Sequence, residues 1–95
     1  TIMSKKISII IPLFNEADNV DVLVLALSNF FSTHVTHSYE VVFVNDGSVD
    51  DSFELLKKAD HKNYQCKIIS LSKNFGSHAA LRAGILHATG DYITF

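Results

Sequence analysis

Two kinds of hydrophobic pattern alternate along the chain. The first is the mostly apolar run, seen in Ile7 to Ile11 before Pro12, in Val41 to Val44, and in Cys66 to Leu71. β-Branched and aromatic residues with so little polar alternation predict strands buried on both faces, as in a parallel sheet. The second kind has helical spacing. Val20, Leu23, Val24, Leu27 and Phe31 predict an amphipathic helix from about Ala17 to Phe31. Phe53, Leu55, Leu56 and Ala59 supply the apolar side of a second helix. Ala79, Ala80, Ala83 and Gly84 give a third, near Ser77 to Ala88, a face of small residues. Glycine in a helix costs ~1 kcal/mol relative to alanine, so Gly84 points to close packing on the sheet.

The polar stretches between these runs predict how the elements begin and end. Asn15, with Asp18 three residues on, reads as the cap of the first helix. Ser48, followed by Asp50 and Asp51, reads as the cap of the second. Gly90 suits the position that ends the third helix, and Asp91 opens a fourth strand. The order is β-α-β-α-β-α-β, an α/β, Rossmann-like arrangement around a mostly parallel sheet. The chain stops inside that fourth strand, at Phe95, which predicts a fragment of a larger domain. Residues 1–5 read as a disordered start, with Thr1-Ile2 ahead of Met3 as a tag remnant.

Composition narrows the function classes. An apolar fraction of 47% and a charged fraction of 19% describe a globular core. A net charge of −2 gives no electrostatic reason to expect nucleic acid as a partner. The lone Cys66 cannot pair within the chain and reads as a buried structural thiol in a reducing, cytoplasmic compartment. No apolar run approaches the ~18 residues of a membrane span. His34 and His37 lack a third ligand, and His61, His78 and His87 form no metal or Ser-His-Asp pattern.

The chemistry lies in the loops. Each complete strand is followed by polar or constrained residues: Pro12, Asn15 and Glu16; Asn45, Asp46 and Ser48; Ser72, Lys73 and Asn74. In a parallel sheet these loops share one edge and can contact one ligand. Neither a G-x-G-x-x-G nor a G-x-x-x-x-G-K-[ST] phosphate loop is present, which argues against a dinucleotide dehydrogenase or a P-loop NTPase. Taken alone, Asn45-Asp46-Gly47-Ser48 is either a turn and helix cap or a ligand loop. Glu16 and Lys73 are likewise either solvated side chains or ligand contacts, and Asp91 either opens a strand or joins the site. A carboxylate such as Asp46 suits the imide N–H of uracil or the amino edge of guanine, and repels phosphates unless a cation intervenes.

Four motifs follow in order: Ile10 to Glu16, Val44 to Ser48, Leu71 to Gly76 with Ala79-Ala80 and Ala83-Gly84, and Ala88 to Tyr92. Together they closely resemble the amino-terminal half of family 2 glycosyltransferases, which have the GT-A fold. Within that family the Lys73-Asn74-Phe75-Gly76 loop is most like the bactoprenol glucosyltransferase and dolichol-phosphate mannose synthase branch. The resemblance covers about Lys6 to Phe95 and implies a truncated GT-A fold with a nucleotide-sugar pocket. Pro12, Phe14 and Glu16 match first-loop residues around base and ribose, and Asp46 matches the carboxylate that pairs with the base. Lys73 stands for a common arginine, Asn45 for a common aspartate and Phe14 for a frequent tyrosine. With Ser48, Asn74 and Asp91 these complete the expected nucleotide-sugar-binding set.

The resemblance implies no catalytic residue here. The family's Asp-x-Asp motif, which binds Mg²⁺ or Mn²⁺ and the pyrophosphate, is expected just past Phe95. The parent enzyme is expected to transfer a hexose from a UDP- or GDP-sugar to polyprenyl phosphate or a glycan acceptor, at the cytoplasmic face of a membrane. The 95-residue chain is then a donor-binding part without activity of its own. The alternative is a non-enzymatic α/β interaction domain whose loops are only caps and turns. A truncated sheet also predicts self-association into a homo-oligomer.

Overall fold

The computed structural model describes residues 5–95, so all of the expected tag-remnant segment but Lys5 lies outside the described residues. The elements are β1 (Lys6–Leu13), α1 (Val20–Ser32), β2 (Ser38–Asn45), α2 (Ser52–Lys58), β3 (Gln65–Ser70), α3 (Ser77–His87) and β4 (Tyr92–Thr94). A 3₁₀ turn, Ala17–Asn19, takes the place of the first turn expected of α1. The strands form one sheet in the order β3-β2-β1-β4, and every pair is parallel.

β2 lies inside the sheet, and from Glu40 to Asn45 every residue on it is buried. Val41, Val42, Phe43 and Val44 are all fully buried. Val41 and Phe43 join Leu13, Val20, Val24, Phe31 and Leu56 under α1 and α2. Val42 and Val44 pack with Ile10 and Ala80 under α3 on the opposite face. The small-residue face does what its composition predicts: a Cβ on Gly84 would overlap Ile10 Cγ2 and stand 3.2 Å from Val44 Cγ2. α3 therefore rests directly on β1 and β2.

β1 runs one residue past Pro12, to Leu13. Backbone groups alternate sides along a strand. The Leu13 carbonyl accepts the Asp46 N–H on the β2 side, and the Lys6 carbonyl accepts the Asp91 N–H on the β4 side. Even-numbered positions thus face β4, which pairs only with Ile7, Ser8 and Ile9. The missing donor of Pro12 points where no described strand needs it.

Three expected caps are corrected. Asn15 makes no helix cap; it lies at φ 52°, and its side chain bonds across to Val49. Ser48 is four residues ahead of α2 and accepts the Asn15 N–H. The cap position is Asp51, which makes no side-chain cap bond, and Asp50 before it accepts the Ser52 N–H on its Oδ1 at 3.0 Å. Gly90 does not close α3 with a left-handed residue, since the helix ends at His87 with Ala88 extended. Its missing side chain answers to β1: a Cβ there would sit 2.6 Å from Ser8 Oγ and 2.9 Å from the Lys6 carbonyl oxygen.

Candidate functional site

Chain order places the site. From β1 to β2 to β3 the chain steps one way along the sheet, with α1 and α2 on one face. It then returns across β2 and β1 to β4, with α3 on the other face. The crevice that such a reversal opens at the carboxyl ends of the strands is where α/β sheets take ligands.

Here that crevice is a cavity of about 230 Å³ lined by Pro12, Leu13, Phe14, Asp46, Asn74, Gly76 and Ser77. A larger hollow of about 360 Å³ lies between α1 and the segment after α2, where Asp21, Val24 and Asn29 face Asp60 and Lys62. No strand end opens into the larger hollow, and none of the loop residues singled out above lines it.

The walls of the crevice are built by bonds between loops. The Asn15 N–H donates to Ser48 Oγ at 2.9 Å, and the Val49 N–H to Asn15 Oδ1 at 2.9 Å. The Glu16 N–H donates to Ser52 Oγ and the Ala17 N–H to Asp50 Oδ2. The Ser52 hydroxyl and N–H together hold the Asp50 carboxyl below its usual range. Asn45 completes the turn, accepting the Ser48 N–H and donating to Ser70 Oγ at 3.2 Å.

Asp46 ties in the third loop. Its Oδ1 accepts the Phe75 N–H at 2.9 Å and its Oδ2 the Gly76 N–H at 3.1 Å. The carboxylate is 4% exposed and belongs to the cavity wall. Each oxygen keeps a second lone pair for a ligand's N–H. Gly47, at φ 70°, lets the Lys73–Asn74 backbone lie directly on the turn; a Cβ there would overlap the backbone of both. Phe14, 43% exposed, offers a ring at the mouth. Lys73 extends over the Phe75 ring, 5.2 Å from its centroid.

Of the expected set, the structure brings Pro12, Phe14, Asp46 and Asn74 to the cavity wall. Ser48 bonds to the Asn15 N–H, Glu16 holds Asn19 through its side chain at 2.9 Å, and Lys73 lies over the Phe75 ring; none of the three lines the cavity. Asp91 is at the other edge of the sheet. It precedes β4, a strand parallel to β1, and accepts the Lys6 N–H at 2.9 Å.

Among the described residues no group of three or more His, Cys, Asp or Glu stands close enough to hold a metal ion. Asp46 has no such partners beside it, so the described residues do not fit a divalent cation. Nor is any helix among them long and apolar enough to cross a membrane. Cys66 is half-buried, and burial pushes its thiol up to about 11, which leaves it little thiolate at neutral pH.

The sequence reading missed Glu40. It is fully buried on β2 and bonded to Ser8, Lys67 and Thr89. The signal was available, since an acidic residue opening a run of buried valines has to find donors.

Comparison with known proteins places this architecture. The model of glycosyl transferase family 2 matches residues 8–95. The chain belongs to that family. An uncharacterized glycosyltransferase of Synechocystis sp. is 41% identical over 91 residues, which are 96% of this chain and 28% of that protein. The undecaprenyl-phosphate 4-deoxy-4-formamido-L-arabinose transferase of Klebsiella pneumoniae is 36% identical over 90 residues, 94% of this chain and 27% of that one. The chain thus spans about a quarter of the length of these family 2 relatives. Its fold is that of the mannosyltransferase PcManGT from Pyrobaculum calidifontis, solved in complex with GDP-Man and Mn²⁺. The TM-score is 0.77 over 96% of this chain and 26% of that one, at 21% identity. The expected α/β, GT-A-type arrangement is therefore the observed one.

Proposed function

We propose that this chain is the donor-nucleotide recognition part of a glycosyltransferase that moves a hexose from a UDP- or GDP-sugar to polyprenyl phosphate or a glycan acceptor, at the cytoplasmic face of a membrane. The supporting observation is the crevice itself. An acceptor-only carboxylate, held by two backbone N–H groups, stands in one wall with an exposed aromatic ring at its mouth. Such a pair selects a flat base that presents N–H groups: Phe14 stacks and Asp46 accepts. In this reading Glu16 and Asn74 take ribose hydroxyls and Lys73 takes phosphate. The name of the Klebsiella relative supports a lipid-phosphate acceptor, and the GDP-Man complex of the structural neighbour supports a sugar-nucleotide donor.

Mg²⁺ or Mn²⁺, in this reading, is held by residues outside this chain, and the chain alone transfers no sugar. Sugar transfer to a lipid phosphate by the purified chain would refute that part. The binding reading is tested by amide NMR during titration with UDP, GDP and ADP. UDP or GDP is expected to move the Leu13, Phe14, Asp46, Asn74 and Gly76 signals more than ADP does, and Phe14→Ala to weaken the effect. If neither nucleotide moves those signals at millimolar concentration, or if ADP does so equally, the assignment fails.

A further inference from the structure

The buried carboxylate at the far edge of the sheet plays no part in the crevice, yet it is the most heavily bonded side chain described. Glu40 Oε2 accepts the Ser8 hydroxyl and, at 3.0 Å, the Thr89 N–H. Its Oε1 accepts Lys67 Nζ at 2.7 Å and the Thr89 hydroxyl at 3.2 Å. These donors come from β1, β3 and the turn between α3 and β4. The turn is fastened again by its neighbours. The Gly90 N–H donates to Ser8 Oγ at 2.9 Å, the Asp91 N–H to the Lys6 carbonyl at 2.7 Å, and Lys6 Nζ to Thr89 Oγ1 at 2.6 Å.

β4 itself has little with which to choose a register. It has three residues, all exposed, and three register pairs with β1. A strand without a buried face is weakly specified against slipping, and a slip of one residue moves it ~3.3 Å and exchanges its faces. Buried polar groups are best attested as devices for fixing register. Ser8 is the register partner of both Glu40 on β2 and Ile93 on β4. Its hydroxyl donates to the one and accepts from the turn leading to the other.

We propose that Glu40 is a positioning residue that locks β4 in register with β1, and so fixes how the carboxyl end of β4 meets the crevice. β4 is parallel to β1, so that end points to the edge where Pro12 and Asp46 lie. The consequence for donor binding rests on the function proposed above. The lock does not, and its test needs no nucleotide.

The test is residue-resolved hydrogen exchange on Glu40→Gln, with cross-strand nuclear Overhauser contacts between Ser8 and Ile93 as the register marker. The Asp91 N–H meets the Lys6 carbonyl, and because Ser8 faces β4 opposite Ile93, the Thr94 N–H also faces β1. These two N–H groups are expected to exchange about tenfold or more faster relative to Phe43 and Ile68 in the β2–β3 ladder, with the Ser8–Ile93 contacts weakened. Acceleration by one common factor over the whole sheet would reduce Glu40 to general stability and overturn the proposal. Unchanged protection at Asp91 and Thr94 would also overturn it. Should Glu40→Gln fail to fold, Thr89→Val decides: it removes the turn's exposed hydroxyl and must loosen the same amides selectively, or the lock is wrong.

Discussion

Glu40 on β2 and Asp46 just past its end are both buried carboxylates, and their partners set them apart. Asp46 is bound by two backbone N–H groups of one loop, Glu40 by an ammonium, two hydroxyls and an N–H from three segments. Burial alone pushes the Glu40 carboxyl up, but Lys67, Ser8, Thr89 and the charge of Lys6 outweigh it and bring it down from 4.5 to about 2. A carboxyl lowered by folding stabilises fully above its unfolded value and loses that contribution as pH falls through the folded one. Between pH 4.5 and about 2 the chain should therefore lose about 2–3 kcal/mol through Glu40, a figure already reduced for solvent screening at the 39% exposed Lys67. Urea midpoints taken across that window should fall for the wild type and stay flatter for Glu40→Gln. Equal slopes would show that Glu40 is not the group titrating. Asp46 was legible as the polar end of an apolar strand, but its bonds were not, because Phe75 and Gly76 lie 29 and 30 residues away. Gly47 was legible as a turn residue only. Its contact with the Lys73–Asn74 backbone adds a steric demand to its φ of 70°. Gly47→Ala should cost about 2 kcal/mol or more by urea denaturation. A cost below about 0.5 kcal/mol, the range of an ordinary surface change, would mean that the loop yields freely.

Elements were read well where their signal is local and poorly where it is not. The apolar runs located β1, β2 and β3, and the helical spacing located α1, because burial on one or two faces writes a period into the sequence. Caps failed because the bonds that replaced them cross between loops. Asn15 bonds to Ser48 and Val49, 33 and 34 positions on, and Ser52, not Ser48, serves both Glu16 and Asp50. Asp91 was grouped with the crevice by motif, although the start of a parallel strand lies at the edge opposite to its end. Gly84 gives a prediction in which local and tertiary terms oppose each other. Helix propensity alone favours Gly84→Ala by ~1 kcal/mol. The added methyl must displace Ile10, which is branched at Cβ and 1% exposed, so it cannot swing aside. Overpacking of this kind costs about 1–3 kcal/mol, and the substitution should be net destabilising in a urea melt followed by circular dichroism. A stabilised variant would show that α3 can lift from the sheet at no cost.

At the scale of the whole molecule the sheet is well covered at its centre and bare at its margins. α1 and α2 cover one face of β2 and α3 the other, but β4 has no described strand on its outer side and both its faces are open. Tyr92 is 60% exposed and Phe95 75%, with Ile93 between them on the same segment. An open edge carrying large apolar side chains is a template for pairing with another chain. Soluble proteins blunt such edges with charge, and β4 carries none from Tyr92 to Thr94. We therefore predict that this chain self-associates through β4, with a mass by light scattering that rises above the monomer across micromolar concentrations. Ile93→Lys should return it to the monomer, because a charge on the free edge discourages pairing while leaving the backbone bonds to β1 intact. A monomeric mass for the wild type throughout that range would refute self-association. An unchanged oligomer in Ile93→Lys would move the contact away from β4, to the exposed Val22, Leu25 and Phe30 on the outer side of α1.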